Sequence, residues 1–152
     1  EAGNEVEKIF LRDKTINYCT GCSTCSRYNN PCPQKDDVAE ILEKMIVADV
    51  IVMATPVYFY TMSAQMKTLI DRCCGRYTEM SNKEFYFIAT AAEEDRKLME
   101  RTIDTFQGFL DCLENPVIKG AVYGTGVWHT GELNDNPAMR EAYEMGRHCL
   151  ES

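Results

Sequence analysis

The 152-residue chain contains no run near the ~18 consecutive apolar residues of a membrane helix, and its first residues show no basic-then-apolar secretion signal. A membrane anchor and a secreted setting are therefore not expected. Clustered basic residues are also missing: 16 Lys and Arg stand against 24 Asp and Glu, for a net charge of −8. Such a chain repels phosphate backbones, so nucleic acid is not an expected partner. Nothing in the composition marks a linker, an internal repeat or a low-complexity tract, which leaves one domain, residues 1–152, large enough for a real core. No Ser-His-Asp or paired-carboxylate spacing can be read, so hydrolysis has no specific support. What remains is an acidic, soluble, cytoplasmic domain.

The segment from Ala48 to Asp71, ADVIVMATPVYFYTMSAQMKTLID, carries the most information. Val50, Ile51, Val52 and Met53 form an apolar run without polar alternation, as in a strand covered on both faces of a parallel sheet. Thr55 and Pro56 end that strand. Ser63 is placed to cap a helix whose Met66, Leu69, Ile70, Cys73 and Cys74 share one face, with Lys67, Asp71 and Arg72 on the wet side. Pro56 to Met62, with Tyr58, Phe59 and Tyr60, is then an exposed loop at the carboxyl end of a strand, where open α/β sheets bind ligands.

The rest of the chain alternates in the same way. Val6 to Leu11 reads as a strand and residues 12–35 as an inserted polar, cysteine-rich loop. Asp36 or Asp37 caps a helix with Val38, Ile41, Leu42, Met45 and Ile46 in one stripe. Phe85 to Ala89 is a strand, Thr90 to Glu94 a loop, and Asp95 to Leu113 a helix turning Met99, Ile103, Phe106, Leu110 and Leu113 inward. Glu93, Glu94 and Asp95 read as an acidic cap favoured by the helix dipole. After the strand Val117 to Tyr123 comes a Gly-rich loop, Gly124 to Gly131, which carries Trp128 and His129. Asn136-Pro137 then opens a last helix. Strands alternating with helices define the α/β class, with a doubly wound parallel sheet. The count is four strands and four helices, one strand short of the common five-stranded layout.

Cys19, Cys22, Cys25 and Cys32 have the most specific spacing, C-x2-C-x2-C-x6-C-P. Thiolates at such steps converge on one centre, and the fourth completes a shell. The bacterial ferredoxin run shares the first three steps and the final Cys-Pro but has a shorter last gap. An iron–sulfur cluster, a structural zinc ion and metal-free reduced thiols all stay open. Cys73, Cys74, Cys112 and Cys149 lie in or at the ends of predicted helices and read as small apolar residues.

CTGCSTC with Cys32 beyond it, DDVAEILEKM leading into ADVIVMATPVYFYTMSAQMKTLIDR, and GAVYGTGVWHTGEL before EAYEMGR together resemble the flavodoxin-like NAD(P)H-dependent FMN reductases, in their iron–sulfur flavoprotein branch. The resemblance covers essentially the whole chain. It implies an oxidoreductase that binds FMN non-covalently and takes a hydride from NADH or NADPH. Electrons then pass to a quinone, a flavin, a nitro-compound or a protein, with a four-iron four-sulfur cluster possible on the way. It also implies a homodimer or homotetramer whose subunits complete one another's flavin sites. Thr55, Pro56, Val57, Tyr58 and Phe59 would border the isoalloxazine ring, Thr90, Ala91 and Ala92 the other side of its crevice, and Cys19, Cys22, Cys25 and Cys32 a cluster. No acid or base side chain is implied, because the cofactor carries the chemistry. A flavodoxin-like electron carrier and a non-catalytic thiol or zinc module are the alternatives.

The resemblance breaks at the N-terminus. The family's first strand and its Ser- and Gly-rich phosphate loop have no counterpart before Glu1, so Val6 to Leu11 corresponds to the second strand of the order 2-1-3-4-5. Ala2-Gly3-Asn4 reads as the stop of a helix that begins upstream. The chain is thus expected to be a piece of a longer one and, by itself, to bind FMN poorly.

Overall fold

A computed structural model describes residues 3–28 and 31–149. Its sheet has the order β2-β1-β3-β4. Strands β1 (Val50–Tyr58), β3 (Glu84–Thr90) and β4 (Val117–Gly124) run parallel, and the two-residue β2 (Thr61–Met62) returns antiparallel beside the end of β1. The helices are α1 (Thr24–Tyr28), α2 (Val38–Val47), α3 (Ala64–Arg72), α4 (Arg96–Leu110) and α5 (Pro137–Arg147). The α/β reading and the predicted positions of the last three parallel strands hold.

The apolar stripes of α2, α3 and α4 cover one face of the sheet. Val38, Ile41, Leu42 and Met45 from α2, Met66 and Leu69 from α3, and Phe106 and Leu110 from α4 close on Ile51, Met53, Phe85 and Phe87. Phe87 and Phe106 stack with ring centroids 4.8 Å apart, and Phe85 meets Phe109 edge-on at 6.4 Å. Side-chain caps start the longer helices: Ser63 Oγ accepts from Met66 N, Asp95 Oδ1 from Lys97 N, and Asn136 Oδ1 from Ala138 N. Asp37 precedes α2, but Asp36 supplies the oxygen that caps Val38 N.

Three expectations change. Val6 to Leu11 forms no strand: Val6 is 82% exposed, only Ile9 and Leu11 lean on the core, and a 3-10 turn follows at Leu11–Asp13. An extended segment becomes a strand only beside another, and none lies next to this one among the described residues. Second, β1 is not covered on both faces. Ile51, Met53 and Thr55 are buried while Val52 is 51% exposed and Ala54 and Pro56 are exposed, since the second layer, α5, packs over β4. Third, Thr55 and Pro56 do not end β1, which runs through them to Tyr58 and turns back as a hairpin. Proline is tolerated there because β1 has no strand partner on its outer edge before Val57 among the described residues. Gly3 lies in the left-handed region (φ +80°), as a helix stop would require, while its neighbour Ala2 falls outside the described residues.

Candidate functional site

The carboxyl ends of β1, β3 and β4 are gathered into one rim. Pro56 pairs in register with Thr90, and Thr90 with Gly124, so the three strands deliver their following residues at one level. After β1 the chain reverses through Phe59 and Tyr60, both with positive φ (51° and 60°), in register Val57 with Met62 and Tyr58 with Thr61. Such a two-residue turn normally uses Asn and Gly, and two aromatic residues there store backbone strain. The tip is anchored from one side: Tyr60 Oη donates to Glu93 Oε2 at 2.9 Å, and the Arg101 guanidinium sits 5.8 Å from the Tyr60 ring. This bond to a carboxylate raises the Tyr60 pKa. The loops after β3 and β4 are stitched together by Ala91 N to Gly124 O, Gly126 N to Glu93 O and Val127 N to Ala91 O. Gly124 is also closely surrounded: a Cβ there would stand 2.8 Å from the Leu133 side chain and 3.1 Å from that of Thr90.

The residues named for the ring divide into two groups. Pro56, Tyr58 and Phe59 are exposed, Phe59 completely, while Val57, Thr90 and Ala92 are half-buried. Thr55 and Ala91 are buried underneath. The Thr55 hydroxyl accepts from Ser63 N at 2.9 Å and donates to Pro56 O, so it braces the hairpin rather than facing the crevice. Beside the hairpin lies a cleft of about 440 Å³ lined by Tyr58, Phe59, Thr61, Met62, Ala64, Lys67 and Thr105. Its cation, Lys67, is paired with Asp71 at 2.5 Å. Trp128 and His129 are exposed in the next loop, where both backbone amides donate to Glu132.

An aromatic, mostly uncharged rim with backbone edges nearby fits a flat ring with a polar margin, as in a flavin. A phosphate is less well served. Each helix longer than two turns begins under a side-chain cap (Asp36, Ser63, Asp95 or Asn136), so among the described residues none starts in an open cradle of amides.

The cysteine loop lies at the far end of α3. The four predicted ligands do not converge: no group of three or more Cys, His, Asp or Glu among the described residues is placed to hold a metal ion. Cys22 is exposed and its thiol donates to Thr24 Oγ1 at 3.4 Å. Hydrogen bonds returned by the Thr24 side chain and amide hold its pKa below the ordinary thiol value. Cys32 Sγ accepts from Arg72 Nη2 at 3.4 Å, and burial, with lesser contributions from Cys25 and Cys19, holds the Cys74 thiol above its ordinary pKa. A four-thiolate shell does not fit this arrangement of the described residues.

Arg72 organises this loop, and its predicted place on the wet face of α3 is corrected. Its side chain is 2% exposed and meets Asp36, 1% exposed, through Nη1–Oδ2 at 2.6 Å and Nη2–Oδ1 at 3.1 Å. Nη1 also donates to Asn17 O at 2.7 Å. Burial pushes the Asp36 carboxyl up, but the Arg72 guanidinium and the amides of Asn17 and Val38 outweigh it, leaving the pKa below the usual carboxylate value. Arg72 sits three residues after Leu69 and next to Cys73, on the margin of the apolar stripe, which was the available signal. The four remaining cysteines also divide. Cys73 is buried, its thiol pushed up to about 12 by that burial, whereas Cys74 and Cys112 are exposed and Cys149 is half-buried, unlike apolar core residues. Cys74 leaves the apolar stripe because α3 ends at Arg72 and a 3-10 turn follows.

A parallel α/β sheet with an aromatic hairpin and two interlocked loops at its carboxyl edge defines a flavodoxin-like protein. The chain belongs to the NADPH-dependent FMN reductase family, a family of oxidoreductases, whose profile matches residues 1–130. An iron-sulfur flavoprotein of Methanocaldococcus jannaschii is 51% identical over 161 residues, covering 99% of this chain and 82% of the relative. One from Archaeoglobus fulgidus is 46% identical over 71 residues, 47% of this chain and 32% of its own length, so the match spans about a third of that relative. Among solved structures, an FMN-dependent NADH-azoreductase of Bacillus anthracis in complex with FMN superposes with a TM-score of 0.65 over 93% of this chain and 79% of its own. Its 15% identity carries the fold alone. No helix among the described residues is long and apolar enough to cross a membrane.

Proposed function

We propose that this chain is an FMN-dependent oxidoreductase that draws electrons from NADPH or NADH and delivers them to a small-molecule acceptor, a second flavin or a partner protein. The observation that carries the reading is the single crevice rim built by the strained aromatic hairpin and the two stitched loops. Bound FMN would supply the two-electron chemistry there, taking up a hydride and releasing electrons in pairs or singly. Pro56, Tyr58 and Phe59 would cover the ring and exclude water from it, with Ala92 across the rim and buried Thr55 bracing the hairpin from beneath. Glu93 fixes the hairpin through Tyr60, and pairing with Asp71 keeps Lys67 from acting as a free charge beside the cleft.

Full exposure of Phe59 and 58% exposure of Tyr58 support completion of the site by a second copy, in a homodimer or homotetramer. All eight cysteines are unpaired, which supports a reducing, cytoplasmic setting. The net charge of −8 speaks against nucleic acid.

The test is anaerobic oxidation of NADPH and of NADH by the purified chain, with FMN in excess and a quinone as acceptor. A rate well above that of the protein-free mixture is expected, and a rate equal to it overturns the reading. Because no helix start among the described residues is open to a phosphate, FMN binding is expected to be weaker than about 1 μM, measured by flavin fluorescence quenching. Tighter binding would show that the phosphate is held by other groups.

A further inference from the structure

We infer that Trp128 is the stacking platform for the ring that exchanges electrons with the flavin, a flat and electron-poor aromatic: a quinone or the oxidised nicotinamide. This rests on the flavin reading above and adds a contact for its substrates. Trp128 is the chain's one tryptophan and is 78% exposed. Exposure alone says little, since Val6 and Val47 are 82% and 79% exposed. What sets Trp128 apart is how its backbone is held.

After β4 ends at Gly124, every residue from Thr125 to His129 is tied through its backbone. Thr125 O accepts from Asn136 Nδ2 at 2.9 Å, Gly126 N donates to Glu93 O at 2.9 Å, and Val127 N donates to Ala91 O at 2.8 Å. Trp128 N and His129 N both donate to Glu132 Oε2, at 2.7 and 2.8 Å. These amides, that of His129 first, hold the Glu132 carboxyl below the usual carboxylate range, so it stays an ionised acceptor at neutral pH. An exposed indole on a clamped backbone has only its two χ angles left to fix on binding, which keeps the entropic cost of stacking small.

The clamp also fixes where the indole is mounted. Val127 is stitched to Ala91, between Thr90 and Ala92, and Trp128 is the next residue beyond that stitch. In the sheet order β2-β1-β3-β4 it belongs to the β4 end of the rim, while Tyr58 and Phe59 belong to the β1 end. Indole has the strongest electron-rich face among the aromatic side chains, and aromatic pairs favour offset stacking. Quinones and oxidised nicotinamides are the electron-poor counterparts of that face.

The experiment uses the single indole as its own reporter. The full 152-residue chain, free of flavin, is titrated separately with menadione (a naphthoquinone), with NADP+ and with FMN, and both the intensity and the lifetime of tryptophan emission are recorded. Stacking predicts that menadione or NADP+ lowers the intensity to a plateau while the lifetime stays unchanged, and the ligand that does so identifies the ring. In turnover with FMN in excess, Trp128→Ala should then raise the KM of that substrate, the quinone or NADPH, about three- to tenfold and leave the other KM unchanged. Trp128→Phe, which keeps a ring, should stay within about twofold of wild type. Intensity and lifetime that fall together without a plateau, as for N-acetyltryptophanamide, mean collision with a merely exposed indole and overturn the inference. So does a plateau with FMN and with neither of the other two, which would put Trp128 on the cofactor's own ring, and so does a KM unmoved in Trp128→Ala. If the chain turns over no NADPH or NADH at all, the flavin reading has failed, and the emission titration alone decides whether Trp128 stacks.

Discussion

Replacing Arg72 with Met tests the reading of the cysteine loop most directly. Arg72 and Asp36 are 2% and 1% exposed, and two guanidinium nitrogens meet two carboxylate oxygens at 2.6 and 3.1 Å. Removing the arginine leaves Asp36 buried with only the amides of Asn17 and Val38, and leaves Asn17 O and Cys32 Sγ without their donor. Breaking one side of a buried ion pair costs about 3–5 kcal/mol. For a chain of this size that is a fall in the thermal midpoint of roughly 6–20 °C. Urea titration followed by circular dichroism gives the free energy. Asp36→Asn should lose somewhat less, since the amide keeps one acceptor. The double variant Arg72→Met with Asp36→Leu should recover much of the loss, because no charge is then left buried. Acidity adds a second check with a fixed sign. The carboxyl pKa of Asp36 is depressed by folding, so its contribution is present above the unfolded value of about 3.9 and is lost as pH falls through the lower folded value. The gap between wild type and Asp36→Asn should accordingly shrink below about pH 4. A single variant within about 0.5 kcal/mol of wild type at neutral pH would refute the claim that this pair holds the loop.

Phe59→Asn should stabilise the chain by about 1 kcal/mol, because Phe59 is fully exposed, makes no packing contact to lose, and sits at φ 51°, which asparagine tolerates. The same change should weaken flavin binding if the hairpin covers the ring. Calorimetry and fluorescence quenching read the two effects, and a lower thermal midpoint would contradict the assignment of strain. Phe106→Ala removes the ring stacked on Phe87 at a fully buried position and should cost about 3–5 kcal/mol in urea denaturation. A loss under about 1 kcal/mol would mean that α4 is not seated on the sheet as described.

Much of the fold was legible because burial imposes a period. Met66 and Leu69 on α3, and Met99, Phe106 and Leu110 on α4, repeat at helical spacing and are buried. Ser63, Asp95 and Asn136 announced helix starts through local hydrogen bonds that need no tertiary partner. The hairpin after β1 was not legible. Its turn uses Phe59 and Tyr60, with no glycine or asparagine to signal positive φ, and only the pairing of Val57 with Met62 reveals it. Val6 to Leu11 failed in the opposite way. Its pattern was apolar enough for a strand, but strand formation depends on a neighbour and not on the segment alone.

The sequence itself determined where the three parallel strands run, because each needs its own local apolar run, and with them the edge of the sheet at which an α/β fold binds ligands, while Thr55 to Phe59 and Thr90 to Ala92 were singled out there by the family resemblance. Tertiary structure alone decided which of those residues face outward, sending Thr55 and Ala91 beneath the rim. It also decided the fate of the cysteines. Spacing can bring thiols near one another, but Arg72 of the buried Arg72–Asp36 pair holds Cys32, and a glycine at position 75 lets Cys25 pack against the turn after α3. Contacts of that kind join residues distant in the chain, and no local pattern encodes them.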